Sequence, residues 1–364
     1  MTAKQVIYVR LLLRTVVFLL AFGILIREAS CRRPTRPELS NITQSPSNAH
    51  SYTIDAFDTQ CTFVLYGEAQ ETDQAATRLV KALAELHNTL NRFDETSELA
   101  RFNNAPENQP FQCSELLWRA FQEAQKAYNS TEGVFDVTIG PLMKFWRKAA
   151  ENSSQVIDNE QLIAVKNSVG FDRLRLDGEN RTVTKTVPNM SVDFGGLAKG
   201  LALDLARQLL EQYPFERSFL DFGGNLFLAN PADLPKAGEV LIRDPRPGDH
   251  TAGAMLGKLL DANRRCISTS ANSERPIATG KRPIGHIMDP RTGQPAARLQ
   301  QVTCVTANGV DSDVFSTAVF IAGPELARQL AEQFPQTGFV LLGPQDDSPT
   351  VIGQASFAKS STAP

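Results

Sequence analysis

The run Val192-Asp193-Phe194-Gly195-Gly196-Leu197-Ala198-Lys199-Gly200 constrains the fold of this chain more than any other stretch. Its first residues have strand character, two glycines interrupt it, and a helical pattern then opens with a lysine in the first turn. Such a junction can turn backbone N–H groups and an ammonium toward one anion, which is phosphate chemistry in outline. The same glycines also serve to permit a tight turn, and a first-turn lysine to meet solvent. The run is neither a Walker A loop, which needs Ser or Thr after the lysine, nor a G-x-G-x-x-G. Far along the chain, Asp311-Ser312-Asp313-Val314-Phe315-Ser316-Thr317-Ala318 places Asp313 and Thr317 four residues apart. On a helix their oxygens share a face and suit a hard cation, with Ser316 adding a second hydroxyl. Carboxylate, hydroxyl and carbonyl donors fit Mg²⁺ better than zinc. The structural alternative is that Asp311 or Ser312 caps the helix and Thr317 bonds back within it.

Around these segments, strand-like and helix-like stretches alternate. Thr59–Tyr66 reads as a strand feeding a helix over 73–90, where Ala76, Leu79, Val80, Leu83, Leu86 and Leu90 recur at helical spacing. Ser114 is placed as an N-cap for a second helix over 114–128, which Gly133 breaks. Strands are expected at 173–176, 182–184, 190–193, 218–221, 226–229, 239–243, 266–269, 302–306 and 339–342. Helices are expected at 197–213, around Asp313 and at 324–334. Adjacent strands with inserted helices predict an α+β fold rather than a doubly wound parallel sheet.

A chain of 364 residues with 42% hydrophobic residues can bury one large core or two smaller ones. The net charge of −3, with no long Lys/Arg run in the body, speaks against a nucleic-acid partner. Five scattered cysteines without a C-x-x-C indicate neither a zinc site nor a disulfide framework. At the N-terminus, Lys4, Arg10 and Arg14 precede an apolar run over 15–26, the pattern of a signal peptide or membrane anchor over 1–31. Ala29-Ser30-Cys31 is similar to a lipoprotein processing site from which Glu28 departs, so a lipid anchor on Cys31 and an uncleaved signal anchor both stand. A Pro-, Ser-, Thr- and Asn-rich tether is expected over 32–51, a globular domain over 52–345 and a C-terminal tail over 346–364. An exported protein follows, periplasmic or held on the outer face of a bacterial inner membrane.

Gly285-His286-Ile287-Met288-Asp289-Pro290-Arg291-Thr292-Gly293 carries a histidine into a tight turn. His286 is the natural general base for activating a hydroxyl, and its structural alternative is a histidine bonded to the turn. Ser268-Thr269-Ser270-Ala271-Asn272 and Asp221-Phe222-Gly223-Gly224-Asn225 end strands in small residues, where a flat ligand can approach the backbone or an ordinary turn can form.

Taken in order with Ser97-Glu98-Leu99-Ala100-Arg101-Phe102-Asn103 and Phe135-Asp136-Val137-Thr138-Ile139-Gly140-Pro141-Leu142, these segments resemble the ApbE family of FAD:protein FMN transferases over about 56–342. The resemblance implies an ApbE-like, T-fold-like α+β architecture, two-lobed, with mixed sheet and helices around a central FAD cleft. It further implies Mg²⁺ as cofactor, FAD as substrate, and FMN transferred to a Thr or Ser hydroxyl of a target flavoprotein with release of AMP. In that pattern the Gly196 carbonyl, Asp313 and Thr317, with Ser316 adjacent, match the metal site. Phe57, Asn91, Arg92, Phe93, Asp136, Lys199 and Ile287 match FAD contacts, and Ser270 and His286 border the pyrophosphate. His286, or Asp289, is the implied base. Phe57-Asp58-Thr59 stands where many members have Met-Gly-Thr, Gly196 where many have Ala or Ser, and Ala271 where a glycine is common. The competing readings are an FAD pyrophosphatase giving FMN and AMP, and a non-catalytic FAD-binding lipoprotein.

Overall fold

The computed structural model describes residues 40–44, 48–151, 158–215, 217–229, 239–246, 255–260, 262–272, 277 and 284–359. The segment read as signal peptide or anchor lies outside them. Among the described residues no helix is long and apolar enough to cross a membrane.

The chain opens with strands β1 (Ser40–Gln44), β2 (Ala49–Ala56) and β3 (Thr59–Tyr66). Tyr52, Ile54 and Ala56 on β2 and Cys61, Phe63 and Leu65 on β3 alternate inward. Helix α1 (Ala69–Leu90) buries Ala75, Ala76, Leu79, Leu83 and Leu86 in the same core, the stripe that its periodicity predicts. Then come α2 (Glu98–Asn104), the two-residue β4 (Phe111–Gln112), α3 (Glu115–Ser130) and α4 (Gly140–Glu151). Ser114 caps α3 as expected, its hydroxyl accepting the Leu117 N–H at 3.3 Å. Next are α5 (Asn159–Lys166), a 3₁₀ turn at Phe171–Arg173, β5 (Leu174–Asp177), β6 (Thr182–Lys185) and α6 (Ala198–Leu210). Strands β7 (Ser218–Phe222), β8 (Asn225–Ala229), β9 (Val240–Arg243), β10 (Met255–Leu260), β11 (Cys266–Ala271) and β12 (Gln301–Thr306) follow. The chain continues through α7 (Gly309–Ala322), α8 (Pro324–Gln333), β13 (Gly338–Leu342), β14 (Thr350–Gly353) and β15 (Ser356–Lys359).

One nine-stranded sheet, ordered β1-β2-β3-β7-β8-β11-β12-β13-β14, organises the α+β fold, and every pairing in it is antiparallel. Two three-stranded sheets, β15-β10-β9 and β4-β6-β5, flank it. The layout departs from the sequence expectation in several places. β1 and the start of β2, with Ala49 and His50 buried, lie inside the stretch read as a tether. β14 and β15 lie in the stretch read as a tail, where β14 completes the sheet edge. Residues 190–193 form no strand: Ser191 makes a single bridge with Ile139. At Val192 the Asn103 side chain takes the place of a neighbouring strand, accepting the Val192 N–H at 2.7 Å and donating to its carbonyl at 2.9 Å, while the Asp193 N–H donates to the Val137 carbonyl at 2.7 Å.

Helices α6 and α7 meet through Gly200 and Gly309, where a Cβ on either residue would collide with the other's carbonyl oxygen. Asp204, one turn further along α6, accepts the Gly309 N–H at 2.7 Å and the Val310 N–H at 2.9 Å, capping the first turn of α7 from outside. Close packing leaves no room for a methyl, so Gly200→Ala should cost about 1–3 kcal/mol of stability. Chemical denaturation of the variant against the wild type checks this, and an unchanged midpoint would show that the two helices can part without cost.

Candidate active site

A cavity of about 910 Å³ opens between the large sheet, α4, α6 and α7, at the upper end of the range for small-molecule sites. Its wall brings together Arg92, Phe93, Asp136, Gly196, Lys199, Ser270, His286, Ile287, Asp313 and Thr317, residues scattered along most of the sequence. Phe57, Asn91, Asp289 and Ser316, named with them from the sequence, do not line it.

At the inner end, Asp313 is almost fully enclosed. Its Oδ2 accepts the Gly200 N–H at 3.0 Å, and its Oδ1 lies 3.2 Å from Lys199 Nζ. The anion that the lysine of the junction meets is therefore this carboxylate. One turn on, Thr317 does bond back, its hydroxyl donating to the Asp313 carbonyl at 3.1 Å while the side chain still borders the cavity. Ser316 is fully buried: its hydroxyl reaches the same carbonyl at 3.0 Å and pairs with Ser270 Oγ at 2.9 Å. Ser270 also stands 3.2 Å from Thr317 Oγ1. Gly196 follows this wall closely; a Cβ there would press on the Phe135 ring at 3.0 Å and lie 3.8 Å from Thr317 Oγ1. Its place in the chain is set by clearance, since Gly195 and Gly196 are absent from the positive-φ glycines.

Among the described residues no cluster of three or more His, Cys, Asp or Glu side chains is arranged to hold a metal. A cation in this wall must be held mainly by neutral oxygens around one carboxylate. Asp313 already stabilises one positive charge, the Lys199 ammonium; the Thr317 hydroxyl borders the cavity one turn on and Gly196 lies next to Thr317, a donor set that fits a hard cation such as Mg²⁺.

His286 lines the cavity beside Ile287. Its loop is fixed from two sides: Trp146 Nε1 donates to the Gly293 carbonyl at 2.8 Å, and Asn272 Nδ2 to the Ala296 carbonyl at 2.8 Å. Gly293 has φ 77°, so the turn needs a residue without a Cβ there. Asp289 is engaged inside this turn, accepting from the Arg291 backbone N–H, Nε and Nη2, each at 2.9 Å. The bidentate pair turns that carboxylate away from proton transfer in the cavity.

Asp136 lines the wall, yet both its oxygens serve the fold. Oδ1 accepts from the Thr138 N–H and hydroxyl at 2.7 Å each, and Oδ2 from the Phe171 N–H at 2.9 Å. Burial pushes its carboxyl above the usual range despite these bonds. Asn91 shapes the approach to the rim, its Oδ1 accepting the Phe93 N–H at 3.1 Å. Arg92 pairs with Asp193 at 3.1 Å.

Phe57 and Asp58 form the two-residue turn between β2 and β3, both left-handed with φ 55° and 58°. Such turns favour Asn-Gly, and a phenylalanine there carries strain. His87 on α1 holds the turn: its Nδ1 accepts the Phe57 N–H at 3.1 Å, and the two rings meet edge-on at 5.4 Å. Phe57 thus packs behind the turn while Asp58 faces the cavity.

Sequence reasoning missed Asp58, Asp193, Met143 and Arg147 as cavity residues. The signal for the last two was present. Gly140-Pro141 opens α4, because proline is at home in a first helical turn, and Met143 and Arg147 then stand one turn apart.

The model of the ApbE family matches residues 57–341. The chain belongs to the ApbE family. Among curated relatives, a protein of Klebsiella pneumoniae called FAD:protein FMN transferase is 27% identical over 248 residues, 67% of this chain and 70% of its own. One of the same name from Vibrio cholerae is 25% identical over 283 residues, 77% of this chain and 83% of its own. Among solved structures, the flavin transferase ApbE of Vibrio cholerae aligns with TM-score 0.70 and 24% identity over 85% of this chain and 97% of that one. The ApbE protein of Thermotoga maritima aligns with TM-score 0.72 and 22% identity over 86% and 97%. Those structural matches establish the fold of this ApbE family member.

His87 makes one part of the site pH-sensitive. Burial holds its pKa below the ordinary 6.5, and Nδ1 must stay unprotonated to accept from Phe57. Between the lowered folded value and 6.5 the unfolded chain binds more protons, so stability falls as pH drops through that window and levels off beneath it. The melting temperature of the wild type should therefore decline below about pH 6.5. His87→Asn, which keeps an acceptor but cannot titrate, should show a flatter profile; equal slopes would remove His87 from the pH response.

Proposed function

We propose that this chain transfers the FMN moiety of FAD to a Ser or Thr hydroxyl of a target flavoprotein, forming a phosphoester and releasing AMP, with Mg²⁺ as cofactor. Family membership and the names of the curated relatives support a transferase acting on FAD and a protein. The observation that carries the reading is the convergence of Lys199, Asp313, Thr317 and His286 on one cavity large enough for a dinucleotide. A store for flavin has no need of a cation-ready carboxylate and a histidine lining one cavity.

Asp313, Thr317 and the Gly196 carbonyl would hold Mg²⁺, which when bound supplies charge neutralisation at the pyrophosphate. Lys199 adds a second positive charge at the same end, so that charge developing on the bridging and terminal oxygens meets fixed partners. His286 accepts the proton of the incoming hydroxyl. The hydroxyl oxygen bonds to the FMN phosphorus, the phosphorus–oxygen bond to the AMP phosphate breaks, and AMP departs with the electron pair. Ser270 orients the Thr317 hydroxyl from behind. The basic and apolar N-terminal pattern, outside the described residues, supports an exported enzyme anchored at the bacterial inner membrane or, through Cys31, by lipid. Its acceptor proteins would lie on that outer side.

Incubation of the protein with FAD, Mg²⁺ and a candidate acceptor, followed by mass measurement of the acceptor and assay of AMP, tests the reading. FMN on the acceptor with stoichiometric AMP is expected. AMP with unmodified acceptor would establish a pyrophosphatase, and absence of AMP with every divalent cation would rule out both enzymes. His286→Ala should slow transfer by about 10²-fold or more while FAD still binds; an unchanged rate assigns the proton elsewhere. Asp313→Ala should abolish the dependence on Mg²⁺ together with turnover, and persistent Mg²⁺-dependent turnover would displace the metal from this wall.

A further inference from the structure

The residue that follows β11, Asn272, reaches the His286 loop on both sides of the histidine. Its Nδ2 donates to the Ala296 carbonyl at 2.8 Å. The Ala296 N–H in turn donates to the carbonyl of Ile287, the residue after His286, at 2.8 Å. On the preceding side, Gly285 lies against the Asn272 carboxamide, so closely that a Cβ on Gly285 would stand 2.2–2.4 Å from its Cγ, Oδ1 and Nδ2. The histidine is therefore gripped through each of its neighbours, by packing before it and by a hydrogen-bonded pair after it. Asn272 itself is half-buried and does not line the cavity. Its Oδ1 is closed off from solvent and has no hydrogen-bond partner among the described residues. A buried acceptor without a donor costs stability, so this amide is not explained by its own hydrogen bonding.

Two residues earlier the same stretch of chain has a second attachment. Ser270 Oγ lies 2.9 Å from Ser316 Oγ and 3.2 Å from Thr317 Oγ1, both on α7. The short span from Ser270 to Asn272 thus holds the Asp313–Thr317 wall with one side chain and the His286 loop with the other. Trp146 fixes that loop only at its far turn, through the Gly293 carbonyl. We propose that Asn272 is a positioning residue, which sets His286 at the distance from the Thr317 wall that removal of the acceptor's hydroxyl proton requires. The assignment rests on His286 as the base of the proposed transfer and adds what holds that base in place. Placement of this kind acts on the chemical step rather than on binding, and a displacement of about 1 Å can cost about 10²-fold in rate.

The test measures FMN transfer by the full chain at saturating FAD, Mg²⁺ and acceptor, and FAD affinity by fluorescence titration. Asn272→Ala should slow transfer about tenfold or more and change FAD affinity less than about twofold. Should that variant fail to fold, Asn272→Leu, which keeps the shape against Gly285 and lacks the donor to Ala296, takes its place with the same expected loss. In the His286→Ala background the Asn272 substitution should slow transfer no further, because a residue acting through His286 has nothing left to place. A second, independent loss in that background overturns the proposal, as does a fall in FAD affinity as large as the fall in rate, which would mark a merely structural role. A rate that depends on His286 and not on Asn272 brings down this assignment alone. A rate untouched by His286→Ala brings down the base and the assignment together, and a wild type that transfers nothing brings down the proposed function with them.

Discussion

The contact of Gly200 with Gly309 is the constraint on which the site depends. Only where neither residue carries a side chain can α6 and α7 touch backbone to backbone. That closeness puts the Gly200 N–H within 3.0 Å of Asp313 and the Lys199 ammonium within 3.2 Å of it. The carboxylate is thus held from the neighbouring helix, and burying it is tolerable because both oxygens meet donors. Asp204 works from the opposite direction along the same crossing, fastening the start of α7 through two backbone N–H groups. Register between the helices is fixed at both places by a carboxylate of one helix that accepts backbone N–H groups of the other.

On its other side α7 is joined to β11 by hydroxyls. Ser268 pairs with Ser312 at 2.7 Å, and Ser270 with Ser316 at 2.9 Å and Thr317 at 3.2 Å. A helix that runs through the core with Val314, Phe315, Ala318, Val319 and Phe320 all buried has little freedom to rotate. The hydroxyl seam adds direction to that packing, because a turned helix would leave several buried oxygens unpaired at about 1–3 kcal/mol each. Residues with modest chemistry of their own therefore orient the one face of α7 that meets the cavity.

Much of this was legible in the sequence. The amphipathic stripe of α1, the Ser114 cap and the α+β alternation follow from spacing and local chemistry. So does the shared face of Asp313 and Thr317, and the motifs from Ser97 to Ala318 carried the family. Less legible were features defined by a partner far away. Residues 190–193 have strand composition, but Val192 bonds to the side chain of Asn103, while Ser191 and Asp193 meet backbone, near Ile139 and at Val137. Lys199 looked ready for a ligand anion and meets Asp313, and Asp289 looked available and is tied to Arg291. In each case the residue type announced its charge, while its partner depended on tertiary placement. The strained turn at Phe57 and Asp58 was visible only as a departure from the common pattern; its cause, the acceptor on His87, lies in another element.

The order of strands in the large sheet has a consequence for how the protein comes into being. β3 lies beside β7, so Phe63 pairs with Leu220, and β8 lies beside β11. The sheet closes over long stretches of chain, a topology that folds slowly because entropy must be surrendered before the pairings return it. The cavity wall takes residues from Asp58 through Ile321. A growing or partly folded chain therefore has no fraction of this site to offer, and a ligand of the cavity recognises only a molecule whose sheet is already complete. Occupancy then stabilises the finished fold and leaves its incomplete precursors untouched.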